Sequence, residues 1–195
     1  MPGARRFERG PDGGGWLAEL VRARGSELCE HTDAVADMAR SVAMALGLDA
    51  EDRELVARAA ELHDVGKVAM PDAILAKRGP LDPVERALMD RHTIIGEAIV
   101  DAAPALRPVA ALVRASHERW DGSGYPDRLA GERIPLGARI VAVCDAFSAM
   151  VEERAYGEVL PEEAALAELR RCAGTQFDPR VVDAFCAVVA PARAA

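Results

Sequence analysis

The chain contains four histidines, His31, His63, His92 and His117, separated by 32, 29 and 25 residues. His63 is followed at once by an aspartate, in the stretch Leu62-His63-Asp64-Val65-Gly66-Lys67. Imidazole suits a borderline transition metal, and a carboxylate can bridge two ions. Gly66 permits a close backbone approach to a bound group, and Lys67 sets a mobile cation beside it. Another 28 residues past His117, Asp145 interrupts the apolar run Ile140-Val141-Ala142-Val143-Cys144-Asp145-Ala146-Phe147. A carboxylate in such a run needs a cation or hydrogen-bond partners. A single histidine on an apolar helix face is more often a hydrogen-bonded core residue than a ligand. Four of them, joined by two carboxylates, point instead to a di-metal centre with ligands converging from facing helices.

The elements that must carry these residues read as helices. A short helix is expected over Trp16–Arg24. Ser26 caps the next, which runs to about Leu46 and stops at Gly47. On it His31, Val35, Met38 and Val42 fall at i, i+4, i+7 and i+11, which places His31 on the inner face. Glu27 stands one i,i+4 step before His31, so both can reach one ion. Asp49 opens a third helix that brings His63 and Asp64 to its C-terminal end. Pro71-Asp72 starts a short turn. Asp82-Pro83-Val84-Glu85 is a cap, an N1 proline and an N3 glutamate, and the helix it begins is expected to carry Leu88, His92, Ile95 and Ile99 along one stripe. A helix from about Pro108 leads to Ser116-His117-Glu118. The loop after it, Asp121 to Pro135, is long enough to be functional. Helices over Leu136–Glu152 and Pro161–Cys172, and one from Asp178-Pro179, complete an all-α reading with no period-two strand pattern and no internal repeat.

Length and composition bound the rest. A chain of 195 residues suffices for one sizeable core, and a fold of this size buries roughly 70% of its unfolded surface. Half the residues are apolar and only 4% aromatic, which favours packed helices over a β-sandwich. The net charge of -8 argues against binding a nucleic-acid polymer. Cys29, Cys144, Cys172 and Cys186 form no C-x-x-C pair and read as reduced residues of a cytoplasmic protein. No apolar run approaches the roughly 20 residues of a membrane span. The expected organisation is a disordered leader or linker remnant over 1–15, one helical domain over 16–190 and a tail over 191–195, with no secretory leader.

These motifs together resemble the HD-GYP domain, a branch of the HD superfamily of metal-dependent phosphohydrolases. The resemblance runs from about Gly25 to Phe185. It rests on His63-Asp64, His92, Ser116-His117-Glu118 and Trp120-Asp121-Gly122-Ser123-Gly124-Tyr125-Pro126, with Pro71-Asp72-Ala73-Ile74-Leu75 and Gly174-Thr175-Gln176-Phe177-Asp178-Pro179 in matching order. It implies a helical bundle with two or three bound metals, often iron or manganese, and hydrolysis of cyclic di-GMP to pGpG or GMP. It also implies metal ligands at His31, His63, Asp64, His92, His117 and Asp145, with Asp64 bridging and Glu27 the extra carboxylate of three-metal members. Lys67 matches a lysine near the scissile phosphate, Gly124, Tyr125 and Pro126 the name-giving loop, and Arg154 a substrate-facing arginine. Together Asp64 and Lys67 are the expected catalytic pair.

The chain departs from the family pattern at Ser116, where a second histidine is usual, at Ser148, where aspartate is usual, at Ala155, where proline is usual, and at Gly157-Glu158, where a basic residue is common. A hydroxyl is a poor ligand for a borderline cation, so two metals are expected and a third is weakened. The other departures are expected to weaken contacts to guanine and phosphate. Two readings follow: a phosphodiesterase of cyclic di-GMP or of another phosphorylated nucleotide, or a domain that keeps its metals and works by binding a partner. An upstream sensory or receiver domain and a homodimer are the expected associations.

Overall fold

A computed structural model describes residues 26–152 and 159–189, with side chains of the first helix described from Asp33 onward. The 1–15 leader, the Trp16–Arg24 helix, the segment holding Arg154, Gly157 and Glu158, and the 191–195 tail therefore lie outside the described residues. The helices are α1 (Ser26–Ala45), α2 (Ala50–Leu62), α3 (Asp72–Leu75), α4 (Pro83–Met89), α5 (His92–Asp101), α6 (Arg107–Ala115), α7 (Leu136–Val151), α8 (Glu162–Arg171) and α9 (Pro179–Val189). A 3-10 turn, Val65–Ala69, follows α2. Among the described residues the only strand-like pairing is an isolated bridge between Ala173 and Phe177. The fold is all-α, as the sequence predicts.

Small apolar residues explain how closely the helices approach. The inner face of α1 is Val35, Ala36, Ala39, Val42 and Ala43, and it lies along α2 and α7. α2 answers with Val56, Ala59, Ala60 and Leu62, and α7 with Ile140, Val141, Val143 and Phe147. Fully burying each large aliphatic or aromatic side chain is worth about 1.5–3 kcal/mol before entropy is charged against it. α9 closes the core with Val181, Val182 and Phe185, whose ring sits 4.9 Å from that of Phe147. α5 packs instead on α6 and on the 3-10 turn. α3 and α4 hold no buried residue and form an outer excursion between that turn and α5.

Local signals mark most of the boundaries. Asp82 accepts from Val84 and Glu85 N–H, and the Glu85 carboxylate accepts from Asp82 N–H at 2.8 Å, completing the capping box that starts α4. Asp49 accepts from Asp52 N–H at 2.9 Å, and α2 begins there. One expectation fails. The single helix anticipated from Pro83 through Ile99 is two helices, broken at Asp90-Arg91. The His92 ring bonds Met89 O at 2.8 Å, and the Thr93 hydroxyl donates to Asp90 O at 3.1 Å. Both side chains compete for carbonyls that an unbroken helix would use. The break also rotates the stripe: α5 buries His92, Thr93, Gly96 and Val100, while Ile95 and Ile99 are only partly covered.

Candidate metal centre

The site starts where α2 stops. Leu62 is buried, His63 is the C-cap of α2, and Asp64 leads into the 3-10 turn. Gly66 presses that turn against α5. A Cβ there would stand 1.9 Å from His92 O and 2.6 Å from Gly96 N. The sequence reading gave Gly66 the task of admitting a bound group. The structure corrects this: the close neighbour is the backbone of the helix that carries His92. Only glycine allows the Asp64 turn and that helix to lie so near.

The contact brings the two carboxylate oxygens of Asp64 between two sets of side chains. Oδ1 lies 3.4 Å from His92 Nε2 and 3.8 Å from His117 Nε2. Oδ2 lies 3.5 Å from His63 Nε2 and 2.5 Å from Lys67 Nζ, and His63 Nε2 in turn lies 3.7 Å from Asp145 Oδ1. Asp64, His92 and His117 offer ligand atoms that all lie within 4.8 Å of one another. His63, His92 and Asp64 are buried, and Asp145 on α7 is partly exposed at 25% of its side chain.

The imidazoles are held in the tautomer a metal requires. Nδ1 of His63 is 2.7 Å from Ala60 O and Nδ1 of His92 is 2.8 Å from Met89 O, so each Nδ1–H donates to a carbonyl and Nε2 faces inward. Nε2 of His63, His92 and His117 and Oδ1 of Asp64 are buried with no hydrogen-bond partner. Such atoms cost free energy unless something binds them. The imidazole nitrogens of His92 and His117 and a carboxylate oxygen of Asp64 converge on one space, and this donor set fits a divalent transition metal.

The electrostatics favour positive charge here. Burial alone would lower the His63 pKa, but the carboxylates of Asp64 and Asp145 outweigh it and raise it to about 9. Burial also opposes charge on Asp64, yet Lys67 and His63 hold that carboxyl well below its ordinary value. Burial keeps His117 below its usual pKa, so its ring stays neutral and its lone pair available.

The long loop after α6 folds back over this cluster. The Tyr125 ring stacks on His117 with centroids 5.3 Å apart and planes 9° apart. Tyr125 N–H donates to His117 O at 3.3 Å. Gly124 is buried, and a Cβ on it would meet Arg119 N at 2.4 Å and Glu118 Cα at 2.6 Å. Burial, then the Asp90 and Asp64 carboxylates, raise the Tyr125 pKa and keep its phenol protonated. The Tyr125-Pro126 peptide is cis, and Pro126 is half-buried.

His63, Asp64, Lys67, His92, His117 and Asp145 thus come together as the sequence suggests. Gly124 and Tyr125 serve the site through packing on Glu118 and His117. Glu27 and His31 lie in α1, but their side chains, like Arg154, are outside the described residues. Ser116 is buried and its hydroxyl donates to Val113 O at 2.9 Å, within its own helix. Ser148 was expected beside a substrate base. It is fully buried, with its hydroxyl bonded to Glu152, so it lines no open surface. Glu118 has no role that its residue type alone suggests. It is 4% exposed and accepts from Asp127 N–H at 2.7 Å and Leu129 N–H at 3.0 Å. Its position directly after His117 was the only hint. Among the described residues Cys144, Cys172 and Cys186 are free thiols, and no helix is long and apolar enough to cross a membrane.

Comparison with known proteins gives the family. The family model described as an HD domain matches residues 16–181. The chain belongs to the HD domain family. Within it the Gly124-Tyr125-Pro126 loop and the named relatives define an HD-GYP domain. The chain is 44% identical over 171 residues to the cyclic di-GMP phosphodiesterase response regulator RpfG of Xanthomonas campestris, covering 87% of this chain and 45% of that protein. It is 40% identical over 169 residues to the 3'3'-cGAMP-specific phosphodiesterase 2 of Vibrio cholerae, covering 86% and 32%. A cyclic di-GMP phosphodiesterase of Thermotoga maritima matches at 40% over 171 residues, covering 87% and 46%. The chain therefore spans less than half the length of each of these curated relatives. Among solved structures, the HDGYP protein Bd1817 of Bdellovibrio bacteriovorus superposes with a TM-score of 0.69 at 17% identity, covering 91% of this chain and 62% of that one. That likeness shows the fold.

Proposed function

We propose that this domain is a metal-dependent phosphodiesterase that hydrolyses cyclic di-GMP to pGpG, GMP or both. The observation that carries the reading is the division of Asp64: one oxygen faces His92 and His117, the other His63 and Lys67. In this reading His92, His117 and Asp64 would hold one ion, and His63, Asp64 and Asp145 would hold the second. His31 is the further ligand that the family resemblance implies. Iron or manganese suits this mixed nitrogen and oxygen set. When bound, the pair supplies Lewis acidity toward a phosphoryl oxygen and lowers the pKa of water.

The chain's own residues do the rest. Asp64 stays ionised and holds both halves of the site together. Lys67, on a flexible stem, can move its ammonium from Asp64 to a phosphoryl oxygen and stabilise the charge that develops there. Tyr125 holds His117 under its ring and keeps its phenolic proton as a donor. From the family resemblance, Arg154 is proposed as a substrate contact and Glu27 as an additional metal ligand. Ser116, spent on Val113 O, leaves the third metal position without a strong ligand. The domain is expected to work in the cytoplasm, under an upstream sensory or receiver unit and as a homodimer.

One observation supports a second substrate. The V. cholerae relative at 40% identity is named for 3'3'-cGAMP. The test is an assay of the protein reconstituted with Mn²⁺ or Fe²⁺ against cyclic di-GMP, 3'3'-cGAMP and bis(p-nitrophenyl) phosphate. Cleavage of cyclic di-GMP at the highest kcat/KM supports the proposal, and preference for 3'3'-cGAMP supports the second reading. A metal-loaded protein that cuts none of the three overturns the enzyme reading in favour of a domain that acts by binding.

A further inference from the structure

Glu118 lies directly after His117, is almost fully buried, and faces no ligand atom. Its two oxygens are both used on the loop: Oε1 by Asp127 N–H at 2.7 Å and Oε2 by Leu129 N–H at 3.0 Å. Between these anchors and His117 lie Gly124, packed without a Cβ against the Glu118 backbone, and Tyr125, stacked on the His117 ring. A second tie runs outside it. Arg114, on the last turn of α6, makes a bidentate pair with Asp127 at 2.6 and 2.9 Å. The same guanidinium reaches Glu97 at 2.5 Å on α5, the helix that carries His92. The loop is thus fixed to the helix that carries His92 and to the one that leads into His117, on the Oδ1 side of Asp64.

We propose that Glu118 is a positioning residue, with Arg114 as its outer partner, and that it sets the plane of the His117 ring by seating Tyr125 upon it. The inference rests on the reading of His117 as a metal ligand only for its consequence, not for the geometry itself. Stacking removes the freedom of the ring to rotate about its side-chain bonds. Among the described residues no backbone carbonyl fixes that ring as Ala60 O fixes His63 and Met89 O fixes His92. Tyr125 takes the place of that missing carbonyl. Hydrogen-bond partners that orient a metal-binding histidine typically contribute about 10–100-fold to metal affinity, and the stacked tyrosine is assigned the same task here.

The substitution that tests this is Glu118→Gln. The amide keeps one acceptor oxygen and turns an NH₂ toward the other loop N–H, so one anchor is lost and replaced by repulsion. The first readout uses metal-free protein. Ring-current shifts of the His117 imidazole protons report Tyr125 stacked above them. They are expected to collapse toward unstacked values in Glu118→Gln and in Tyr125→Ala, and to persist in Tyr125→Phe. The second readout is Mn²⁺ affinity by titration calorimetry, expected to weaken about tenfold or more for one ion in Glu118→Gln. Arg114→Gln loosens the same loop from its exposed side. It is expected to show both effects in smaller degree, and it stands in for Glu118→Gln if that variant does not fold. A folded Glu118→Gln, or in its place Arg114→Gln, with unchanged His117 shifts overturns the proposal, whatever its melting temperature. If the wild type binds no Mn²⁺, the metal reading of the site fails, and the imidazole shifts still decide whether Glu118 positions the ring.

Discussion

Gly66→Ala tests how the metal centre is assembled, because it alters no candidate ligand side chain. The added Cβ would stand 1.9 Å from His92 O, 2.6 Å from Gly96 N and 2.8 Å from His92 C. Ordinary contacts lie at about 3.5–4.0 Å, so the turn must retreat by roughly an ångström or more. All three obstacles are backbone atoms of α5 and cannot rotate aside. Overpacking typically costs about 1–3 kcal/mol, and this case belongs at the upper end. For a domain of this size each kcal/mol moves the melting temperature by about 2–4 °C, so a fall of roughly 6–12 °C is expected. The retreat also moves Asp64 and Lys67, which bracket Gly66, away from His92. Mn²⁺ affinity should therefore fall with stability. Gly96→Ala is the comparison. Its Cβ would meet Val113 Cγ1 at 3.0 Å and Gly66 N at 3.4 Å, and the nearer of these is a side chain that can shift. Alanine also gains about 1 kcal/mol in a helix, so that variant should melt close to wild type. Thermal denaturation by circular dichroism and metal titration read both effects. A Gly66→Ala protein that melts within 2 °C of wild type, roughly one kcal/mol or less by the same conversion, and binds Mn²⁺ unchanged would refute the reasoning.

Other substitutions separate structure from chemistry. Lys67→Ala should leave metal content near wild type and lower turnover about 10²-fold, the usual loss when one charge-stabilising donor is removed. Metal analysis beside steady-state kinetics checks this, and loss of metal would make Lys67 structural. Asp178→Asn should destabilise the fold by about 3 kcal/mol or more, because it leaves Arg139 buried without its carboxylate partner at 2.6 Å. Urea denaturation measures the loss. Asp37→Asn, which breaks a largely exposed pair with Arg40, should change stability far less.

What the sequence could and could not reveal follows from the range of each interaction. His63-Asp64 was legible because adjacent residues need no fold to be neighbours. The start of α4 was legible because Asp82, Pro83 and Glu85 act within one turn. The break at Asp90 was not, since the helical stripe through His92, Ile95 and Ile99 continues across it. Only the side-chain bonds of His92 and Thr93 to the preceding carbonyls show why the helix stops. Gly66 was noticed, but its partner is some 30 residues away in sequence and could not be named. The same holds for Asp64, whose type predicts bridging while the assignment of each oxygen depends on three separate helices. The family pattern makes Ser148 look substrate-facing, and its burial with the hydroxyl on Glu152 leaves no mark in the sequence.

The central claim is that Asp64 joins two metal sites, and counting ions tests it most directly. The protein is reconstituted with Mn²⁺ or Fe²⁺, desalted and analysed for metal per chain, beside Asp64→Ala, His92→Ala and Asp145→Ala. Two ions are expected in the wild type, one in each of His92→Ala and Asp145→Ala, and neither tightly held in Asp64→Ala. Fewer than one ion in the wild type, or two retained in Asp64→Ala, would contradict it.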